Sequence, residues 1–474
     1  MMEKHPSIGD WRNTGLLGCF ELVKNKKTKE RMCEWNESSE VMGKVAAKLR
    51  ELGLFTLIKW NYIFVAPPLN ITKEELFSLN SEVEKEGLKI NQIIKIKPIL
   101  TEEDAEANDV FEDDIKPNST VKLALLLPFR AEEYKDTSAK DVFSNNTLAN
   151  IVTDFYMGAE IAIDSIRKQG VDVNVQVFDT GKKNSSINSI VSNNSLNDAD
   201  VVIGPFYFEE AKTVANKIKK PVVFPMYSKK QRNFSSSKII KTAPDKSSYL
   251  EALTDYLSEN YTNENIIVVG DGKTTSNSNV SKIVANLKKN DSINKVTVLK
   301  PVKGYIKKQR FLDLMKPKTH SWVIVVSDND IVVADALNSM ISLPEEVTTQ
   351  VFTIDKNDAF DRIDNFKLAK INFSYVTHEF IDESNFATKK FNSKYKKLNN
   401  SLPSNYATKG FDITYDILAR LATSDNDLKE TFNNGSSYRL VSKFDYKKRL
   451  FSATNNEGVF IVKYNEDLSL TRLK

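Results

Sequence analysis

A chain of 474 residues is long enough for two to four domains, each able to bury a core without disulfides or metals. Hydrophobic residues at 41% and charged residues at 27% describe a soluble globular protein, and a net charge of +4 is too weak over this length to imply nucleic-acid or membrane binding. Two cysteines, Cys19 and Cys33, exclude a disulfide framework and a CxxC zinc pair.

The three histidines, His5, His320 and His378, are far apart in sequence and read as structural residues rather than as a metal site. No apolar run approaches the ~18 residues of a membrane span. The start, MMEKHPSIGD, has no apolar segment behind a basic region, so no signal peptide is expected and the chain as written reads as cytoplasmic.

In chain order, Gly15 to Leu69 reads as small α+β structure. LLGCFELV is a strand and VMGKVAAKLRELG an amphipathic helix with Val41, Val45, Leu49 and Leu52 on one stripe. NYIFVAPPL is a strand stopped by Pro67 and Pro68. A short helix, KEELFSLNSEV, and a strand, QIIKIKPI, follow. The acidic run TEEDAEANDVFEDD then carries too few large apolar residues to order itself and reads as a solvated spacer over 99–119.

From Val121 apolar strands alternate with amphipathic helices. The strands are VKLALLLPF, VDVNVQVFDT, ADVVIGP, PVVFPMYS, NIIVVGDG, KVTVLKP, SWVIVVSD and QVFTIDKN, most of them the continuous apolar runs of strands buried on both faces. The helix DFYMGAEIAIDSIRKQG puts Phe155, Ala159, Ala162, Ile163 and Ile166 on one face, and FEEAKTVANKIKK is another such helix. This is repeated parallel sheet with crossover helices. The strands are too many for one compact sheet, so two open α/β lobes are expected over 120–474.

Catalytic patterns fail on inspection. GDGKTT lacks a phosphate loop's first glycine, whose place Ile267 takes, and no GxGxxG, GxSxG or paired-histidine motif occurs. In open α/β sheets ligands bind at the carboxyl ends of strands. Those ends supply Asp179, Phe206, Tyr207, Tyr227, Ser228, Asp271, Lys273, Tyr305 and Asp328 as candidate ligand-binding residues, with no catalytic or metal-ligating set.

Specific stretches carry three resemblances. LALLLPF, DFYMGAEIAIDS, ADVVIGPFYFEEAKTVA, PVVFPMYS, SNYATKGFDITYDILARLA, YRLVSKFDYKK and GVFIVKYNEDLSL resemble the type 1 periplasmic-binding fold. The branch they resemble is that of Bacteroidetes-type cell-envelope proteins with LysM peptidoglycan-binding modules. Residues 71–98 look like the second half of a LysM module. HPSIGDWRNTGLLGCFELVKNKKTKE and MGKVAAKLRELGLFTLIKWNYIFVAPPLNITKEEL resemble the C-terminal small domain of class III pyridoxal-phosphate aminotransferases, over 1–70.

The resemblances imply an α/β fold with a small N-terminal α+β fragment, a periplasmic or cell-envelope location, and a small-molecule or peptidoglycan-derived ligand. They also imply an envelope protein partner. In amino-acid-binding members of the fold, small hydroxyls occupy the turn that here holds Phe206 and Tyr207, which argues against an amino acid. The aminotransferase resemblance places Arg12 where a substrate-carboxylate arginine stands, with Asn13 replacing a glycine. The domain carrying the cofactor lysine is missing, so pyridoxal phosphate is expected only if a separate large domain is supplied. The readings from sequence are therefore a non-enzymatic binding or regulatory protein, an inactive or complementing aminotransferase fragment, and a scaffold without ligand.

Overall fold

A computed structural model describes residues 5–14, 17–51, 56–65, 110–382, 385–424, 426–448 and 452–474. The LysM-like stretch at 71–98 and the Pro67-Pro68 stop lie outside them. The chain forms two compact units, Met1–Ala105 with Ser384–Phe386, and Glu106–Glu383 with Ala387–Lys474.

The first unit is a twisted antiparallel sheet. β1 (Ile8–Thr14), β2 (Leu17–Asn25), β5 (Tyr62–Val65) and β4 (Ile58–Lys59) lie in that spatial order, with the two-residue β3 (Glu30–Arg31) on the other part of β2. Helix α1 (Glu40–Glu51) closes a small core of Leu22, Cys33 and Met42, against which Val45, Ile58, Trp60 and Ile63 pack. The helix is rotated from the expected stripe: Val41 is 51% exposed and Met42 5%. One residue is about 100° of helix, and the longer, more adaptable Met42 fills the gap that the branched Val41 was expected to fill.

In the second unit the expected two lobes are present. The first has the parallel sheet β10 (Ile239–Lys241), β9 (Val222–Phe224), β8 (Val201–Ile203), β6 (Thr120–Leu127) and β7 (Asp172–Asp179), in that order. Leu123, Leu125 and Leu127 of β6 face α2 (Thr147–Arg167) and α9 (Asn405–Thr423), and Ala124 and Leu126 face the layer of α3 (Asn184–Ser192) and α4 (Phe208–Lys217). Burial on both faces explains the unbroken apolar run of this strand. The α2 face of Phe155, Ala159, Ala162, Ile163 and Ile166 is buried as read.

The second lobe has β12 (Val296–Leu299), β11 (Asn265–Gly270), β13 (Ser321–Val326), β14 (Thr349–Thr353) and β15 (Ser374–Thr377), all parallel. Antiparallel β16 (Phe460–Tyr464) and β17 (Leu470–Arg472) extend it. Helices α5 (Lys246–Glu259), α6 (Thr274–Leu287) and α7 (Asp330–Ile341) flank this sheet.

Three segments cross between the lobes. The first joins β10 to α5. The second leaves β15 and returns through α8 (Phe386–Asn399) to α9, and the third runs from about 440 to β16. The buried carboxylate of Asp412 on α9 accepts the backbone N–H groups of Leu440, Val441 and Ser442 at 2.9–3.0 Å, fixing the third segment. Phe380 N–H donates to Val441 O at 2.8 Å, which holds the second segment against the third.

One boundary differs from the sequence reading. The second half of the presumed spacer is fixed: Val110 forms a parallel bridge with Ser436 and Phe111 is buried, ahead of β6. Its acidic composition concealed one aromatic and one carboxylate that find partners.

The α2–α9 contact brings the two helix backbones together. A Cβ on Gly158 would overlap the carbonyl oxygen of Ala407, and one on Gly410 that of Phe155. Gly158→Ala or Gly410→Ala should therefore cost about 3 kcal/mol, read as a lower urea midpoint. Gly43→Ala on α1, where a Cβ meets nothing within 4 Å, should be neutral or stabilising by up to about 1 kcal/mol.

Candidate functional site

The strand-end residues divide into those that the fold consumes and those that it leaves available. Asp179 belongs to the first group: its carboxylate accepts from the backbone of Arg130 (3.0 Å), Ala131 (2.8 Å) and Gly181 (2.8 Å), bracing the loops after β6 and β7. Phe206 is 6% exposed and meets Phe155 edge-on at 5.1 Å, so it is a core residue and not a ligand contact. Ser228 is spent on its own turn, its N–H on the Gln231 Oε1 and its hydroxyl on the Lys230 N–H.

Asp271 accepts from Ser327 Oγ at 2.9 Å and from Lys273 N–H at 2.8 Å. Lys273 Nζ reaches Asp328 at 2.7 Å, and that hydrogen bond holds the Asp328 carboxyl below its usual range. These three residues form one cluster at the ends of β11 and β13. Tyr305 projects from the turn after β12, 42% exposed, on the same lobe. Tyr207, half-buried, carries Lys182 Nζ 5.2 Å from its ring. Arg12, in the first unit, is taken by that unit's own carboxylates, Asp10 at 2.9 Å and Glu21 at 2.6 Å.

Tyr227 is where the lobes meet. Its ring lies 5.7 Å from Lys246 Nζ, at the start of α5. Lys246 Nζ is 2.7 Å from Asp355, beyond β14, and 4.3 Å from the Tyr249 ring. Tyr249 Oη is 2.7 Å from His378 Nδ1, whose Nε2 lies 3.3 Å from Glu379 Oε1. Glu379 in turn pairs with Lys409 of α9 at 2.8 Å. The result is a polar chain, Asp355, Lys246, Tyr249, His378, Glu379, Lys409, running from the second lobe's sheet to the first lobe's helix.

Beside it lies a narrow cleft with room for about one water molecule, lined by Pro225, Ala243, His378, Glu379, Lys409 and Phe444 among others. That is far below the ~300–1,000 Å³ usual for small-molecule sites. Burial pushes the Tyr249 hydroxyl up, out of reach of neutral pH. It pushes Glu379 up as well, but the imidazole of His378 and the charge of Lys409 outweigh it and bring the carboxyl down to about 2.

The sequence did not identify Lys246, Tyr249, Asp355, His378, Glu379 or Lys409 as site residues. All but Tyr249 and Lys409 sit in or beside segments that join strands to helices, and what gathers the six is the lobe crossing, which no local pattern encodes. Glu210 was missed too. It is 4% exposed on α4, and burial pushes its carboxyl up to about 7. A charged residue in the first turn of an exposed-looking helix gave no signal of this.

No family model matches the chain. The adenosylmethionine-8-amino-7-oxononanoate aminotransferase of Geobacter sulfurreducens is 37% identical over 78 residues, so the match spans 16% of this chain and about one sixth, 17%, of that relative. Among solved structures, an ABC-type branched-chain amino acid transporter of Rhodopseudomonas palustris aligns with 75% of this chain and 96% of its own, at 14% identity and a TM-score of 0.48. The ABC transporter substrate-binding protein of Desulfitobacterium hafniense, in complex with leucine, aligns with 75% of this chain and all of its own, at 14% and 0.44. The C-domain of LpoA from Haemophilus influenzae, a regulator of PBP1A, aligns with 74% and all of its own, at 11% and 0.47. At these scores no residue role passes from them to this chain, and the two-lobed architecture stands on its own strand order.

Glu379 gives a pH dependence. Its folded value, about 2, lies below the ordinary 4.5, so its stabilisation is complete above pH 4.5 and is lost as pH falls toward 2. The shift corresponds to about 3 kcal/mol. Glu379→Gln should lower the melting temperature at pH 7, and the difference from wild type should shrink between pH 4.5 and 2. A difference constant across that window contradicts the assignment.

Proposed function

We propose that this chain is a non-enzymatic ligand-binding or regulatory protein whose site is the seam between the two lobes of the second unit. The observation that supports it most is the polar chain from Asp355 to Lys409, which brings one lobe's strand ends to the other lobe's helix. Tyr227, Tyr207, Asp271, Lys273, Tyr305 and Asp328 remain the ligand-facing residues of this reading. Binding requires the lobes to part, since the cleft beside the chain has room for about one water molecule.

The branch of the fold that the sequence resembles favours a bacterial cell-envelope setting. Its ligand would be peptidoglycan-derived or another small molecule, and its partner an envelope protein, with residues 71–98 as a residual LysM segment. No helix among the described residues is long and apolar enough to cross a membrane.

A second reading rests on the 78-residue aminotransferase match: the first unit is a fragment of a pyridoxal-phosphate enzyme, joined by fusion, that acts only beside a separate large domain. Arg12, which the resemblance assigns to the substrate carboxylate, already pairs with Asp10 and Glu21. Mixing the chain with pyridoxal phosphate should give no internal-aldimine absorbance band, and a band would favour this reading.

Thermal-shift measurement against muropeptides, amino acids and sugars tests the first reading. A ligand that prefers the closed form should raise the melting temperature by a saturating amount. Tyr227→Ala should remove most of that rise while leaving the unliganded melting temperature within about 1 °C, since the residue is an exposed surface position. Absence of any shift across the panel favours a scaffold.

A further inference from the structure

A second buried charge cluster, unconnected with any strand end, lies at the far end of α9. Asp416 and Arg420, four residues apart on one helix face, are both fully buried. Asp416 accepts from Arg420 Nε at 3.1 Å, from Arg439 Nε and Nη2 at 2.9 and 2.8 Å, and from the Ser437 hydroxyl. Arg420 spends further donors on Thr431 O at 2.9 Å and Ser437 Oγ at 3.1 Å. Two guanidinium groups thus face one carboxylate, and a lone buried cation is costly.

The second carboxylate comes from outside the lobe's core. Asp113, in the segment ahead of β6, takes both arms of Arg439 in a two-pronged fork at 2.6 and 2.8 Å. Two residues earlier, Phe111 lays its ring 4.2 Å from Arg420 Cζ, with the Tyr446 ring 5.3 Å from the same guanidinium. The backbone takes part as well: Phe111 N–H donates to Ser436 O at 2.8 Å, and Val110 bridges Ser436 in parallel register. Main-chain pairing fixes register while an aromatic and an acid at alternate positions find separate partners, which is how an extended peptide is read by a protein surface. Phe111 is buried, whereas Asp113 keeps 26% of its side chain exposed and Glu112 and Asp114 on either side are exposed too.

We propose that Ser436, Arg420, Arg439 and Tyr446 form a recognition site for a short extended peptide of the pattern aromatic, any residue, acid. Phe111-Glu112-Asp113 occupies it in cis, and the same pattern from another protein chain can replace it. The site is independent of the seam, so its failure leaves the ligand-binding reading untouched.

The test uses the full-length chain carrying Phe111→Ala and Asp113→Asn, with its fold checked by circular dichroism, and a fluorescein-labelled hexapeptide of residues 109–114, DVFEDD. Anisotropy should show saturable binding to this variant and at least about tenfold weaker binding to the wild-type chain, whose site is filled. Adding Arg439→Lys should weaken binding about tenfold or more, because an ammonium cannot grip a carboxylate with two arms. Should the double variant not fold, Asp113→Asn alone takes its place; since it keeps the Phe111 anchor, its binding should fall between that of wild type and that of an emptied site, and binding equal to wild type overturns the proposal. Equal binding to wild type and variant, no binding to a folded variant, or indifference to Arg439→Lys each overturns the proposal.

Discussion

The second unit depends on a contact without side chains. Where α2 and α9 cross, Gly158 and Gly410 let each backbone rest against the other's carbonyls, and any Cβ there would collide. This contact brings the chain back to the first lobe after it has built most of the second. Once α9 is seated, Ile413 and Ile417 join the core beneath β6. Its other buried stripe then decides what can be attached.

That stripe is Asp412, Asp416 and Arg420, with the half-buried Lys409 three residues ahead of them on the same narrow face. Each reaches a different part of the chain: Lys409 the second crossing through Glu379, Asp412 the third through three backbone N–H groups, Asp416 and Arg420 the residues around 431–439 and the segment ahead of β6. Burying charges gains little net stability, but removing one partner leaves the other stranded at a cost of about 3–5 kcal/mol. Such a stripe therefore enforces which segments meet more than it strengthens the fold. Asp412 shows the balance: burial pushes its carboxyl up to about 6 despite three N–H donors.

The same stripe shows why the sequence disclosed the fold better than the site. Strands such as VKLALLLPF and SWVIVVSD are buried on both faces, so their apolar runs stand out, and the α2 face followed from spacing alone. Strands of three or four residues, Ile239–Lys241 and Ser374–Thr377, are too short to show a period. On α9 four charged residues share one largely buried face, which no apolar period marks. Asp179 and Phe206 mark the limit of the strand-end rule: it locates the loops that ligands visit but not which side chains those loops have already used. Lys246, His378 and Glu379 were legible only as polar residues between elements, since their meeting depends on crossings that bring distant segments together.

The pairing at the seam also bears on what the lobes would hold. Lys246 faces Asp355 and Lys409 faces Glu379, so an ionic ligand entering there must break a pair and reform it at its own expense. A neutral, hydroxyl-bearing ligand need break none, and it can stack on the exposed ring of Tyr227 while exchanging hydrogen bonds with groups already charged. Parting the lobes there means releasing Glu379 from Lys409 or moving α9, and α9 is held by its glycine contact with α2. The Glu379–Lys409 pair is thus one tie across the seam that a ligand or a partner has to work against.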